Sequence, residues 1–554
     1  MPSAGDIKFR VGVRMVGAQL VSSVIISVVR VDSSRAGAEL AYDRGLHQNG
    51  GLARLGTVLA AAGICAAIAG CAVGPDYQPP EPPMPQGFAA APLAKTGGRA
   101  VDPAKWWRSL QDRELNSLIE RAIAASPTLE IALDRLQQAR AQEMVVIGAA
   151  LPVAEGSAGG GWGTGADLAR GRASQTLISG ENGTGVAQIV NLAGFDAAWE
   201  IDVFGKFRRA IEAAQYDVEA AIAARNLVLI SVIADVTRTY LDLRAMQMQL
   251  AVLRKNIEVA QQYVDFVQER FSRGITNELD VTLAQRELAR LQSQVAPLSA
   301  RIDAARYVIA VLIGEFPENL GKELAKPGTL PALPGRIQRG LPIGLLLRRP
   351  DIVEVERELA SATALIGVAT ADLLPQVAAT AGVAHQQGVG GIPINPIWSV
   401  GPAIAAPLLD FGRLDAIVER ADFRARELLF NYKQTVLNAV REVDTAAEAY
   451  AAEQDRLRHL DDAVAAAKRA VSLAQQRFDR GVIDSLNVID AQRQLYVLEQ
   501  EYVGAQANAA EQFVALYRSL GGGWEDYQSL PPIPAPQPAI AAAFRRLFAP
   551  GAAP

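Results

Sequence analysis
The chain has 554 residues, half of them hydrophobic, and a formal net charge of −5. That composition excludes a disordered, highly charged sequence and leaves ample material for a large fold. The mild acidic excess, with no clustered basic face, also excludes electrostatic binding of nucleic acid.

Residues 1–50 contain one weak apolar stretch, Gln19 to Val29. They are expected to lie upstream of the true translation start, which a precursor sequenced from Met1 would disprove. Leu55 to Gly70 is an apolar run of signal-peptide length, preceded by Arg54 as a thin basic flank. It ends in Ile68-Ala69-Gly70-Cys71, the pattern of a bacterial lipobox, where small residues admit the signal peptidase and the cysteine thiol takes a diacylglycerol. Cys65 and Cys71 are the only cysteines, so cleavage leaves one thiol and no disulfide. Attached acyl chains add about 0.8 kcal/mol per buried methylene, and more than one chain gives stable anchoring. Ala72 follows the cysteine where an aspartate would retain a lipoprotein at the inner membrane, so export to the outer membrane is expected. Beyond Cys71 no charge-free apolar run of roughly 18 residues occurs, so no membrane-spanning helix is expected. The longest candidate, Val218 to Val236, is interrupted by Glu219, Arg225 and Asp235.

The rest of the chain is a tandem repeat. Arg270-Phe-Ser-Arg-Gly274 matches Arg477-Phe-Asp-Arg-Gly481, an offset of 207 residues. Gly205 and Gly412, and Gly314 and Gly521, keep the same offset. Pro127 with Pro350 and Pro152 with Pro375 are offset by 223, so the first copy carries 16 extra residues between its second proline and its glycine. Insertions collect at exposed loop tips, which places a longer loop there.

Within each copy the elements follow in the same order. Lys206 to Arg270 and Arg413 to Arg477 are each 65 residues without proline or glycine. Each predicts a helix of about 97 Å at 1.5 Å per residue. Apolar residues recur at threes and fours, as at Leu227, Ile230, Val236, Tyr240, Leu243, Leu250 and Leu253. Shorter helices are predicted at Thr128 to Ala150 and Leu279 to Ile313, and at Asp351 to Leu374 and Leu486 to Leu520. Two short helices end to end would run antiparallel along each long one. Strands are predicted at Val153 to Trp162, Asn191 to Asp202, Gln376 to His385 and Ile397 to Leu408, with Pro402 and Pro407 weakening or bending the last. Asn191 to Asp202 alternates between a mostly apolar and a small or acidic face, the pattern of an outer-membrane barrel strand. One hairpin per copy gives four strands, too few to close, and open edges cannot face lipid. Chains must therefore associate; three of them would supply twelve strands.

These residues carry a resemblance. Cys71-Ala-Val-Gly-Pro-Asp-Tyr-Gln-Pro-Pro80, Trp106-Trp107 with Leu115, Leu118 and Ile119, Trp199-Glu-Ile-Asp-Val-Phe-Gly-Lys206, Leu346-Leu347-Arg348-Arg349-Pro350-Asp351-Ile352 and the closing Ala515 to Trp524 together resemble the TolC-like outer membrane factors, in their nodulation-type lipoprotein branch. The resemblance covers Cys71 to about Leu530. It implies a mixed α and β fold: a homotrimeric 12-stranded outer-membrane β-barrel continuous with a long periplasmic α-helical barrel, two structural repeats per chain. The divisions would be a dubious extension plus signal peptide (1–70), a lipidated arm (71–105), repeat 1 (106–314), an equatorial connector (315–345), repeat 2 (346–530) and a Pro/Ala-rich flexible tail (531–554). It implies no catalysis and no cofactor beyond the lipid on Cys71. The partners implied are a periplasmic adaptor, an inner-membrane RND-type pump and outer-membrane lipid. A periplasmic gate maps to Leu486, Asn487 and Asp490, with Asn487 neutral where some members are acidic and Leu283 in copy one at the position of Asp490. Adaptor-docking tips map to the turns at Arg270, Gly274, Arg477 and Gly481. Three ionised carboxylates around one axis repel unless a cation or hydrogen bonds hold them. The turn residues equally suit plain structural roles, glycine supplying the dihedral and arginine capping the last carbonyls.

Other chemistry finds little footing. His47, His385 and His459 are far apart in sequence, and Gly159-Gly-Gly-Trp-Gly163 lacks the lysine and hydroxyl of a phosphate loop. The reading is a passive outer-membrane conduit exporting small toxic compounds in a tripartite system. The alternatives are a duct for type I protein secretion and a periplasmic lipoprotein coiled-coil scaffold.

Overall fold
The computed structural model describes residues 72–81, 101–163, 188–320, 323–334, 348–388 and 397–527. A 3-10 helix at Pro103–Leu110 leads into α1 (Arg113–Ala125), α2 (Pro127–Ala149), β1 (Val153–Gly163), β2 (Gln188–Ile201) and α3 (Lys206–Ser272). Then come α4 (Glu278–Gln292), α5 (Val295–Leu312), a helical turn at Pro317–Leu320, α6 (Pro350–Ala371), β3 (Gln376–Gly388), β4 (Ile397–Ala405), α7 (Arg413–Asp479) and α8 (Ser485–Ser519). The two long helices are both 67 residues and both begin after a glycine at φ 82. That left-handed dihedral is the turn from strand to helix. Aspartates beside it accept the first free helix amides: Asp202 from Phe207 and Arg208, Asp410 from Gly412 and Leu414.

The four strands form one antiparallel meander, β1-β2-β3-β4. Each copy's expected hairpin is present, and β2 and β3 join the two copies into one sheet. Direct pairing places Phe195, Val383 and Trp398 in one row, and Ile201, Val377 and Ile404 in another, on the same face. Phe195, Trp199, Trp398, Val400 and Ile404 on that face are exposed within the chain. The Phe195 ring lies over Gly156, filling the space a side chain would take. Across the sheet, Glu155, Asp196 and Ser399 share a row, near Thr380 and Glu200. Apolar outside and polar inside is what a barrel wall in lipid requires. Pro402 is accommodated inside β4, an edge strand of the chain's sheet, and the strand stops before Pro407.

Below the sheet, α6 packs between α3 and α7, while α2 lies along α3. Lower down α8 takes the place of α6, and α4 and α5 that of α2. Short helices thus stack end to end along long ones, as their lengths suggested. The main core is a belt around the middle, where Trp106, Trp107, Leu115, Leu118 and Ile119 meet Tyr240 of α3 and Phe513 and Tyr517 of α8. The connector is bound to it through Gln247 Nε2 to the Leu324 carbonyl and Tyr450 OH to that of Pro334.

One expectation needs correction. The single helix expected over Leu279 to Ile313 is two, α4 and α5, parted at Ser293-Gln294. Pro297 sits in the first turn of α5, where its missing N–H costs nothing and its ring excludes a continuous helix. Copy two has Gly504 at that position and stays continuous. α3 also holds an 18-residue window of mean hydropathy 1.6, long and apolar enough to cross a membrane by length and composition alone. Charges break the sequence run, yet the average passes; 61% of the window is buried inside the protein, where it serves the core.

Candidate functional site
The helix-to-helix turns sit together at one end of the bundle. Tyr263, Val264 and Val267 of α3, Ala284 of α4, Phe478 of α7 and Val488 of α8 form a single small core there. Both turns are Schellman caps. Ile275 N–H donates to the Arg270 carbonyl and Gly274 N–H to that of Phe271; Val482 and Gly481 repeat this on Arg477 and Phe478. Gly274 and Gly481 stand at φ 75 and 71 with open space around them, so the dihedral alone calls for glycine. The arginines differ from expectation. The Arg270 guanidinium lies 5.7 Å from the Phe266 ring and 5.0 Å from that of Phe478, tying one tip to the other, and Arg477 is exposed. A planar cation over a desolvated ring outweighs a carbonyl already bonded by its Schellman amide. Exposed apolar residues recur at matching positions, Ile275 and Leu279 on one tip and Val482 and Leu486 on the other.

The three residues mapped to a gate occupy the first two turns of α8. Val488 points into the tip core, whereas Leu486, Asn487 and Asp490 are all exposed. Asp490 accepts from Arg493 at 2.9 Å, one turn on. Across the seam on α4, Glu287 binds Arg290, which holds its carboxyl below the usual range; burial opposes this, and Arg493 adds to it. Tyr496 OH donates to Gln294 at 2.7 Å. This polar seam escaped the sequence reading. The three-residue spacing of Asp490 and Arg493 was its available signal, but Glu287 is 206 positions from Arg493 and only the fold pairs them. Copy one carries Asp280 where copy two has Asn487, bonded to Thr276 within its own turn.

The Arg349-Pro350-Asp351 motif is a structural lock at the top of the belt. Arg349 is buried, with Nε and Nη2 on Asp351, Nη2 also on Glu442 at 2.9 Å, and Nη1 on the Ser519 carbonyl at 2.7 Å. Cys71 lies outside the described residues, as do 1–70, most of the arm and the tail beyond 527; Ala72–Glu81 is the described start. Among the described residues no group of three or more His, Cys, Asp or Glu could hold a metal.

Comparison with known proteins fits this architecture. The family model described as Outer membrane efflux protein matches residues 118–315 and 341–522. Nodulation protein T of Rhizobium leguminosarum bv. viciae is 29% identical over 470 residues, covering 84% of this chain and 93% of its own. The pyoverdine export outer membrane protein OpmQ of Pseudomonas putida is 30% identical over 458 residues, 80% of this chain and 94% of the relative. The solved outer-membrane channel OprN superposes with a TM-score of 0.72 at 33% identity, covering 82% of this chain and all of that one. A lipid-compatible sheet, paired long helices in two copies and these likenesses converge: the chain belongs to the outer membrane efflux protein family, as a channel and not an enzyme.

Proposed function
We propose that three copies of this chain close into one duct, a 12-stranded barrel above a ring of twelve long-path helices, anchored by lipid on Cys71. One observation carries this reading. Tyr216, Ala223 and Ile230 recur every seven residues on α3, facing α6: Tyr216 lies beside Arg357 and Ile230 lines a cleft with Pro350. Their copy-two equivalents on α7, at offset 207, are Phe423, Phe430 and Leu437. Ala223 is 4% and Ile230 2% exposed, whereas Phe430 and Leu437 are each 66% exposed. An apolar stripe buried in one copy and bare in the other calls for a partner like α6, and α2 of the next chain is that partner. Exposed Ile131, Met144 and Val145 on α2 offer the matching surface. β4 of one chain would then pair with β1 of the next.

In this reading the helical end lies in the periplasm and meets an adaptor and an inner-membrane pump through the tips at Arg270, Gly274, Arg477 and Gly481. Small molecules pass, driven by the pump; the relative named for pyoverdine export supports that cargo class. Leu486, Asn487 and Asp490 narrow the tip, and the Asp490–Arg493 pair holds the carboxylates in place. Single-channel conductance in planar bilayers tests it. Asp490→Ala should raise open probability at the same trimeric mass. Unchanged conductance would remove the gate, and a monomer that never conducts would remove the duct.

A further inference from the structure
The described segment just after Cys71 is not loose chain. Ala72 to Tyr77 lies in a groove made by the β2-to-α3 turn, α3 and α6. Val73 N–H donates to the Phe204 carbonyl at 3.0 Å. Arg209, 5% exposed, donates from Nε to the Val73 carbonyl at 3.2 Å and from Nη2 to the Gly74 carbonyl at 3.4 Å and Asp76 at 2.6 Å. Its Nη1 is held by Glu212 at 2.8 Å, which aims the fork. Tyr77 donates to Glu356 on α6, and its ring meets the edge of Tyr216 on α3 at 5.8 Å.

Three glycines make room for it. Gly74, at φ 92, rests directly on the Gly367 backbone. A side chain at Gly367 would stand 2.8 Å from the Val73 carbonyl, and one at Gly205 would stand 2.7 Å from Ala72. The repeat supplies an internal control. Gly412 has the same φ of 82 as Gly205, but nothing lies within 4 Å of a side chain placed there. Position 416, equivalent to Arg209, is alanine, and position 144, equivalent to Gly367, is methionine. The groove is therefore not inherited from the repeat; it exists once per chain.

We propose that this groove is a docking site for the mature N-terminal arm, with Arg209 as its positioning residue, and that the seated arm latches copy one to copy two. α3 belongs to one copy and α6 to the other, and the arm bonds to both. Three donations from one buried guanidinium reach the arm, to two carbonyls and a carboxylate, and charge-assisted bonds of this kind offset much of the entropy of ordering six residues. A corollary rests on the lipid reading. Cys71 is one peptide link, about 3.8 Å between Cα atoms, from Ala72. Acyl chains on it would leave the protein at the foot of β2, at a fixed depth relative to the sheet.

Amide hydrogen exchange on the full processed protein tests the latch. In Arg209→Ala the Val73 amide should exchange at least ten-fold faster, while the Val482 amide at the far tip is unchanged. Asp76→Asn, a surface change, should speed it two- to five-fold. Gly205→Ala and Gly412→Ala impose the same dihedral strain, so only the first should also release Val73. Unchanged Val73 exchange in Arg209→Ala and Asp76→Asn, or equal effects of the two glycine changes, overturns the proposal. Acyl labelling of Cys71 in the same variants reads the lipid separately: its absence removes the corollary and leaves the latch standing.

Discussion
The two long helices of this chain are the same length, start at the same dihedral and end in the same cap, yet they live in different surroundings. α3 has neighbours on both sides, α2 and α4–α5 on one and α6 and α8 on the other. The described helices that pack closely on α7 are α6 and α8. Where α3 places alanine and isoleucine, α7 places phenylalanine and leucine. Duplication thus gave one frame, and divergence assigned its copies to an internal seam and an external one. The internal seam is finished with a latch and small residues. On α7 large apolar side chains stand exposed, Phe430 and Leu437 among them, which is the surface the proposed trimer would cover.

The sharpest way to break this comparison is to charge the bare stripe. Phe430→Asp with Leu437→Asp removes about 3–6 kcal/mol of apolar burial per interface. Light scattering should show folded monomer with normal helix content, whereas loss of helix would place the stripe in the chain's own core. Arg349→Ala comes next. It leaves the buried Ser519 carbonyl without its donor and removes the partner of the part-exposed Asp351 and Glu442, costing about 1–3 kcal/mol in urea unfolding, with Arg349→Lys recovering part. Glu354, on α6, gives a pH effect. Burial first, then Glu358 and Asp351, push its carboxyl up to about 7. A pKa raised on folding means the folded state holds the proton, so stability falls as pH rises from the ordinary glutamate range toward 7. Glu354→Gln should flatten that decline and raise stability at pH 8, read as the shift in urea midpoint. Arg270→Ala is the smallest, about 0.5–1 kcal/mol of cation–π attraction. It should show as faster proteolysis at the tips with an unchanged global midpoint.

Much of the frame was legible because it depends on what is missing from the sequence. Sixty-five positions without proline or glycine leave little besides helix, and Gly205 and Gly412 mark where strand gives way to it. Strand alternation around Phe195 and Trp199 read correctly because lipid-facing and lumen-facing demands differ at every step. The break before Pro297 is hard to read from sequence because a proline is as well suited to the first turn of a new helix as to the end of the preceding one. Carbonyl capping by the tip arginines was one of two readings, and of the two rings that Arg270 meets only Phe266 is near it in sequence, Phe478 being 208 positions away. The same holds for the Arg209 groove and for Glu287 with Arg493. Pairings between copies leave no local signal, and in a duplicated chain they decide much of the site.

The meander has one more consequence. Each chain contributes an up-down-up-down set, so its first and last strands run in opposite directions. Whatever the number of copies, β4 meets the next β1 with antiparallel polarity and the ladder never frustrates. Sheet parity therefore says nothing about the bore. In the proposed duct the copy number would then have to come from the packing of the long helices on their short neighbours, not from strand direction.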